Sequence, residues 1–294
     1  MPGHKFFAGC EVYGKIRPVP ARQYRGLHRS ENMTTAQRLP ISVCMIAGNE
    51  AHRIRRTLDS VAGWTSEIIV VTDDKTTDGT GKIAESYGAK VFCEPWKGHA
   101  AHRNFASTKA TQPWLLAIDA DEVVSPELRA EINWLFASNQ TVDCAAFSLP
   151  RCTFYHGRWI RHGDWYPDRK VRLWRRGQAQ WSDTQLHEKL LVEGRVGRLR
   201  NDLLHYSMES LAHQTQKTLS SADDFVEECI KRGRSVGAID LAFRPWWRFV
   251  RAYFLKLGFL DGWQGYAIAW MTAFYTFLRY ARVREQQQKQ AAHE

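Results

Sequence analysis

From Ile41 onward, short uninterrupted apolar runs alternate with stretches of helical spacing, and nothing else in the chain constrains its fold as tightly. The apolar runs are Ile41–Ala47 (ISVCMIA), Glu67–Thr72 (EIIVVT), Lys90–Cys93 and Trp114–Ile118 (WLLAI). A strand with no polar face must be covered on both sides, and strands separated by helices pair in parallel. The helical stretches fit between them. Glu50–Val61 carries Ile54, Leu58 and Val61 on one face; a second helix follows Asp78 and closes at Gly88; His99–Ala110 is the third. Ser125-Pro126-Glu127 then reads as a helix start, with a Ser cap, Pro at the first position and an acid in the first turn. After Cys144–Pro150 the alternation stops. Residues 151–206 read as shorter strands and loops, 209–233 as a helix, and Arg244–Lys256 and Gly262–Arg284 as two further helices. The expectation is an α/β fold: a mostly parallel central sheet with helices on both faces, followed by a helical C-terminal region that is basic and aromatic. Residues 1–39 read as a disordered basic leader in which Met33 offers an alternative start, 40–206 as the α/β domain, 207–284 as the helical region and 285–294 as a polar tail.

Charge is placed unevenly. The net charge is +10, yet residues 1–40 hold seven Lys and Arg against Glu11 and Glu31, and residues 231–284 hold ten against Asp240 and Asp261. Such basic regions suit nucleic acid or an anionic membrane. The C-terminal cations interleave with Trp, Phe and Tyr, which favours a membrane surface and no nucleic acid partner. The longest uncharged run, Gly262 to Leu278, contains Gln264 and two glycines and is short for a span of ~20 apolar residues, so association is expected rather than crossing. The six cysteines form no CxxC pair, which argues against structural zinc and suits reduced thiols of a cytosolic protein. No secretory apolar region follows Met1, so no signal peptide is expected.

Two acidic motifs stand where the strands end. Asp119-Ala120-Asp121-Glu122 follows Trp114–Ile118 directly. Ligands of parallel sheets bind beyond the carboxyl ends of strands. Two carboxylates spaced i, i+2 there can face one divalent cation, and oxygen ligands suit Mg²⁺ or Mn²⁺. An acidic surface turn is the plainer reading of the same residues. Asp73-Asp74-Lys75-Thr76-Thr77-Asp78-Gly79-Thr80 ends the second strand; a carboxylate there can accept from a base or ribose, and Thr-Asp-Gly-Thr can cap the next helix. No GxGxxG or P-loop accompanies them.

Taken in order, the runs SVCMIAGNE, EIIVVTDDKTTDGT, AKVFCEPWKGHAAHRNFAS and WLLAIDADEVVSPEL resemble the family 2 glycosyltransferases of GT-A fold. The later runs GRWIRHGDWYPDRKVRLWRRG, WSDTQLHEKLLVEGRVGRL and LLHYS, with the tail RPWWRF…KLGFLDGWQGY, are similar to the lipopolysaccharide inner-core β-glucosyltransferase group. The resemblance spans about residues 41–284. It departs at Asp73–Thr80, where Asp-Ser-Gly-Ser-Thr-Asp-Gly-Thr is frequent, and at His102-Arg103-Asn104, where Gln-Lys-Asn is frequent. It implies that 40–206 is a GT-A catalytic domain. Asn49 and Glu50 would lie beside the nucleotide, Asp73 at uracil or ribose, and Arg103 at the diphosphate. Asp119 and Asp121 would hold the metal, with Asp121 the more direct ligand and Asp119 also touching donor. Glu188 corresponds to the catalytic base. His205 would complete the metal site, with His187 as the second choice. Trp159, Trp165 and Tyr166, near Gly157 and Gly163, suit either the core or a sugar-lined acceptor cleft shared with His162 and His187.

The implied activity is inverting, metal-dependent transfer of a hexose, glucose from UDP-glucose first, onto a lipopolysaccharide core heptose. The cofactor would be Mg²⁺ or Mn²⁺. The partners would be a nucleotide-sugar donor, a lipid-linked saccharide acceptor and the membrane surface, at the cytoplasmic face of the inner membrane. The alternatives are another lipid-linked or exopolysaccharide acceptor, and a basic membrane-binding module without turnover.

Overall fold

A computed structural model describes residues 38–182, 189–208, 211–233 and 236–291. Almost all of the expected leader lies outside them. The chain divides into two interleaved compact units, Met1–Leu149 with Lys170–Asn201 and Pro150–Arg169 with Asp202–Glu294. The boundary expected at residue 206 falls inside a strand, Leu203–Met208.

The first unit is built on the alternation read above. Strands β1 (Leu39–Ile46), β2 (Thr65–Asp73), β3 (Lys90–Glu94) and β4 (Trp114–Ala117) lie in the order β3-β2-β1-β4. All three pairings are parallel, with Cys44 opposite Ile69 on one side and Ala117 on the other. Cys44, Ile69, Val71, Leu115 and Ala117 face a cluster that includes Ala100 and Ala106 of helix α3 (His99–Lys109). The alternate residues Val43, Met45, Val70 and Leu116 are buried as well. Both faces of these strands are therefore covered, which explains why the runs carry no polar side. Each such Val, Ile or Leu contributes roughly 1.5–3 kcal/mol by leaving water. Two further helices connect the strands: α1 (Ile54–Val61) and α2 (Thr80–Ser86). Helix α1 begins four residues later than the spacing from Glu50 suggests, because a turn over 51–53 intervenes and Arg53 takes the cap position.

A short strand β5 (Glu122–Val124) leads into α4 (Pro126–Ala137), where Ser125 Oγ accepts from the Leu128 N–H at 3.1 Å, as the Ser-Pro-Glu start predicts. Beyond β4 the sheet becomes mixed. Strand β8 (Asp168–Arg175) pairs antiparallel with β4, with Leu116 opposite Leu173. Strand β6 (Ala146–Tyr155) starts in this unit, where β11 (Val196–Arg198) joins it in parallel. A separate hairpin pairs β9 (Ala179–Ser182) with β10 (Lys189–Val192). The mostly parallel α/β expectation holds for the strands that carry the acidic motifs.

In the second unit the end of β6 pairs with β7 (Arg158–Trp159) and β12 (Leu203–Met208). Helices α5 (Leu211–Lys231), α6 (Ala238–Val250) and α7 (Gly262–Ala291) make up the expected helical region. A π-helical turn, Arg251–Leu255, and a 3₁₀ turn, Gly258–Asp261, join α6 to α7. Helix α6 starts six residues before the expected Arg244. Asp240 accepts from the Gly237 N–H at 3.0 Å and caps the helix there, so Pro245 lies inside it and not in its first turn. Proline removes one N–H and crowds the carbonyl four residues back, so the helix carries Pro245 at a cost. Gly265 is required by packing: a Cβ there would collide with the Gly258 carbonyl oxygen. Tyr155, Ile160 and Ile268 form one small core and Cys229, Val236, Tyr280 and Val283 another. Of the described cysteines, Cys44, Cys144, Cys152 and Cys229 are buried and Cys93 is exposed.

Candidate functional site

In the order β3-β2-β1-β4 the chain steps outward from β1 through β2 to β3, then returns to the other side of β1. The switch lies between β1 and β4, and the crevice outside the strand ends at such a switch is where open α/β sheets bind ligands. The two acidic motifs and Asn49-Glu50 sit there.

The loops after β1 and β2 are tied together. Asn49, in left-handed backbone at φ 55°, accepts from the Thr77 N–H at 3.0 Å through its side-chain oxygen. The Glu50 N–H donates to Thr80 Oγ1 and the Ala51 N–H to Asp78, both at 2.8 Å. Asp78 also accepts from the Thr80 N–H at 3.0 Å and so closes the start of α2, although Gly79 holds the cap position. Asp73 accepts from the Lys75 N–H and the Thr76 hydroxyl at 2.9 Å each. Gly48 lets the β1 loop pass close by, since a Cβ would stand 3.1 Å from an Asp73 carboxylate oxygen.

Beside this pair of loops lies a lattice of acids and arginines. Asp119 accepts from Arg103 at one oxygen and from Arg172 at the other, each at 2.8 Å. Glu122, fully buried, accepts from Arg172 at 2.6 Å and from the Asp119 N–H at 3.0 Å. Arg53 forks onto Glu50 through two nitrogens and brings its third, Nη1, to 3.9 Å from Asp121. The Arg103 guanidinium stacks on the Trp181 ring at 4.7 Å. Asn104 beside it accepts from the Trp181 N–H and donates to the Trp181 carbonyl, which ties β9 to α3. Burial alone would push the Asp119 carboxyl up. Arg172 and Arg103 outweigh it and hold the group well below the ordinary carboxylate range. Arg172 is the converse: burial would lower it, and Asp119 and Glu122 raise it.

These residues fit a hard divalent cation in a particular way. Both Asp119 oxygens already accept from guanidinium groups, so this carboxylate positions Arg103 and Arg172. Asp121, two residues on, has Arg53 Nη1 3.9 Å from one of its oxygens. Among the described residues no three His, Cys, Asp or Glu side chains gather into a cage. One carboxylate with phosphate oxygens and water is the usual setting for Mg²⁺.

Asn49, Glu50, Asp73, Arg103, Asp119 and Asp121 are thus brought to one end of one sheet. Glu188 and His187 lie outside the described residues. His205 belongs to the second unit, on β12, with its Nδ1 3.4 Å from Thr153 Oγ1. Trp159 packs on Phe154 and Tyr206, and Trp165 meets Tyr155 edge-on at 5.3 Å, which gives Trp165 a core contact. Tyr166 donates to Asp202 at 3.0 Å. His162 sits 3.1 Å from Asp261, whose carboxylate also accepts the Arg161 and His162 N–H groups. Sequence reasoning missed Arg53, Glu122, Trp181 and above all Arg172. One signal for Arg172 existed: an arginine inside the apolar run Val171–Trp174.

A family model described as Glycosyl transferase family 2 matches residues 42–191. An uncharacterized glycosyltransferase of Rickettsia bellii (strain RML369-C) is 33% identical over 83% of this chain and 86% of its own. The lipopolysaccharide core biosynthesis glycosyltransferase LpsC of Rhizobium meliloti (strain 1021) is 28% identical over 84% of this chain and 92% of its own. Among solved structures, S. aureus TarS 1-349 in complex with UDP-GlcNAc is similar with a TM-score of 0.46 at 14% identity, over 82% of this chain and 81% of that one.

Proposed function

The chain belongs to glycosyltransferase family 2, and from that premise we propose that it transfers a hexose from a nucleotide sugar to a heptose of a lipopolysaccharide core, with inversion at the anomeric carbon. UDP-glucose is the first donor to test. The likeness to LpsC along nearly its whole length supports the acceptor class. Family membership makes the chain a glycosyltransferase and retires the reading as a basic module without turnover.

The observation that carries the site assignment is the lattice at the strand ends, where Asp121 and Arg53 stand beside Arg103, Asp119 and Arg172. The loops after β1 and β2 hold the nucleoside, with Asp73 at the base or ribose. Arg103 faces the diphosphate and is fixed by Asp119 on one side and the Trp181 ring on the other. Asp121 holds the divalent cation. When bound, Mg²⁺ or Mn²⁺ supplies neutralising charge for the departing diphosphate. Glu188 accepts the proton of the acceptor hydroxyl. The hydroxyl oxygen forms its bond to the anomeric carbon as the carbon–phosphate-oxygen bond breaks, and the nucleoside diphosphate leaves with that electron pair. Because the arginines are held in place beforehand, little reorganisation is needed as charge develops on the leaving group.

The test is nucleoside diphosphate release from a panel of nucleotide sugars, with core-heptose acceptor and Mn²⁺, for the native chain and Asp121→Ala. The native chain should turn over one donor in a metal-dependent way, and the variant should lose about 10²-fold or more while staying folded. Equal turnover by the variant would remove Asp121 from the metal role.

A further inference from the structure

The second unit keeps its largest apolar side chains outside. Along α7, Trp263, Tyr266, Trp270, Phe274 and Phe277 recur at three- and four-residue steps and are 44–59% exposed. The opposite face of the same helix, through Ile268, Ala269, Ala273 and Thr276, is buried. Helix α6 repeats the pattern: Ile239, Phe243, Trp246 and Trp247 are exposed at helical spacing. The two stripes join, since Phe249 of α6 meets both Tyr266 and Trp270 of α7 within 5.9 Å. Phe254, Leu255, Phe259 and Leu260 extend the surface through the connecting turns. An aromatic side chain offers roughly 150–250 Å². About ten half-exposed rings therefore present on the order of 1,000 Å², beyond the few hundred Å² that a soluble surface ordinarily leaves bare.

The charges next to this surface identify its occupant. Asp164 is 4% exposed and lies 2.9 Å from each of Arg248, Arg251 and Lys256. One carboxylate thus fixes three cations, all of them on α6 or the turns that follow it, beside the exposed Phe254 and Leu255. A protein partner with an apolar face would not call for an excess of fixed positive charge there. The phosphates of an anionic bilayer would: cations lie at headgroup depth and aromatic rings just below. No helix among the described residues is long and apolar enough to cross a membrane. We propose that the α6–α7 face docks flat on an anionic lipid surface, with Trp246, Trp263 and Trp270 entering the interface and the Asp164-bound cations touching lipid phosphate. The proposal rests on the second unit alone and stands apart from the transfer chemistry above.

The experiment is co-sedimentation of the full chain with vesicles of phosphatidylcholine alone and of phosphatidylcholine and phosphatidylglycerol in equal parts. The native chain should bind the anionic vesicles more tightly, and binding should weaken as salt is raised. Trp263→Ser with Trp270→Ser should weaken it about tenfold. Arg248→Gln with Lys256→Gln should weaken it roughly fivefold per charge removed, on the anionic vesicles only. Brominated lipid should quench the tryptophan fluorescence of the native chain, a readout that needs no variant. Binding that survives the tryptophan changes would place the contact elsewhere, for instance in the basic residues of the first forty, and would overturn the proposal. So would absence of quenching, or a concentration-dependent dimer that leaves the vesicles unbound.

Discussion

The two units treat charge in opposite ways. At the strand ends of the first, Glu50, Asp119, Asp121 and Glu122 meet Arg53, Arg103 and Arg172, four acids against three cations, and Arg172 and Glu122 are almost fully buried. In the second, Asp164 alone meets three cations that are 37–42% exposed. Buried pairs cannot be opened without stranding a charge, so the first arrangement is stiff and its side chains are fixed before any ligand arrives. Exposed pairs are screened by water and contribute little to folding. The first holds its side chains in a fixed pattern, as the transfer chemistry proposed for it requires. The second is suited to holding positive charge out towards something negative.

The comparison can be broken from either side. The largest effect belongs to the chemistry assigned to the first unit: Glu188→Gln should cut transfer by about 10²–10⁴-fold while nucleotide-sugar binding, measured by calorimetry, is kept. Unchanged transfer rates would discard Glu188 as the base. Next is the lattice itself. Arg172→Met strands Glu122, leaves Asp119 with Arg103, and should cost about 3–5 kcal/mol in denaturant unfolding; a loss below about 1 kcal/mol would show that Glu122 reaches water.

A smaller effect is expected at Glu67. Burial pushes its carboxyl up, but the bonds from Lys90, Ser42 and the Thr111 N–H outweigh this and lower it. A depressed carboxyl stabilises the fold above its unfolded value near 4.3 and loses that contribution as pH falls through the folded value. Glu67→Gln should therefore cost about 2 kcal/mol at neutral pH, and the gap from the native chain should close below about pH 4. The smallest effect sharpens the contrast: Lys256→Gln should change stability by no more than about 0.5 kcal/mol, read by thermal melting.

How much of this was legible in the sequence follows from what is local. Strands β1 to β4 and the Ser125 cap could be read because continuous apolar runs and cap residues are local signals. The placement of Asp73, Asp119 and Asp121 at one sheet end followed, since parallel strands align their carboxyl ends; Asn49, Glu50 and Arg103 were placed there by the family resemblance. Arg172 was hidden among Arg169, Arg175 and Arg176, and only the antiparallel register of β8 against β4 brings it to Asp119. The start of α6 lies upstream of the expected Arg244 because the Gly237 N–H on Asp240 sets it. The interleaving of the two units, with β6 passing from one to the other, leaves no mark in composition at Leu149 or Asn201.

Helix α7 has one further consequence. Its inward side is held by contacts such as Gly265 against Gly258, where not even a methyl group fits. Its outward rings are half-exposed and share in the packing only along one edge, where Tyr266 and Trp270 meet Phe249 and Trp263 meets His156. The side that holds the fold and the side proposed to meet lipid are thus opposite sides of one cylinder. Changes on the outer side that keep the Tyr266 and Trp270 contacts with Phe249 leave the inner side as it is.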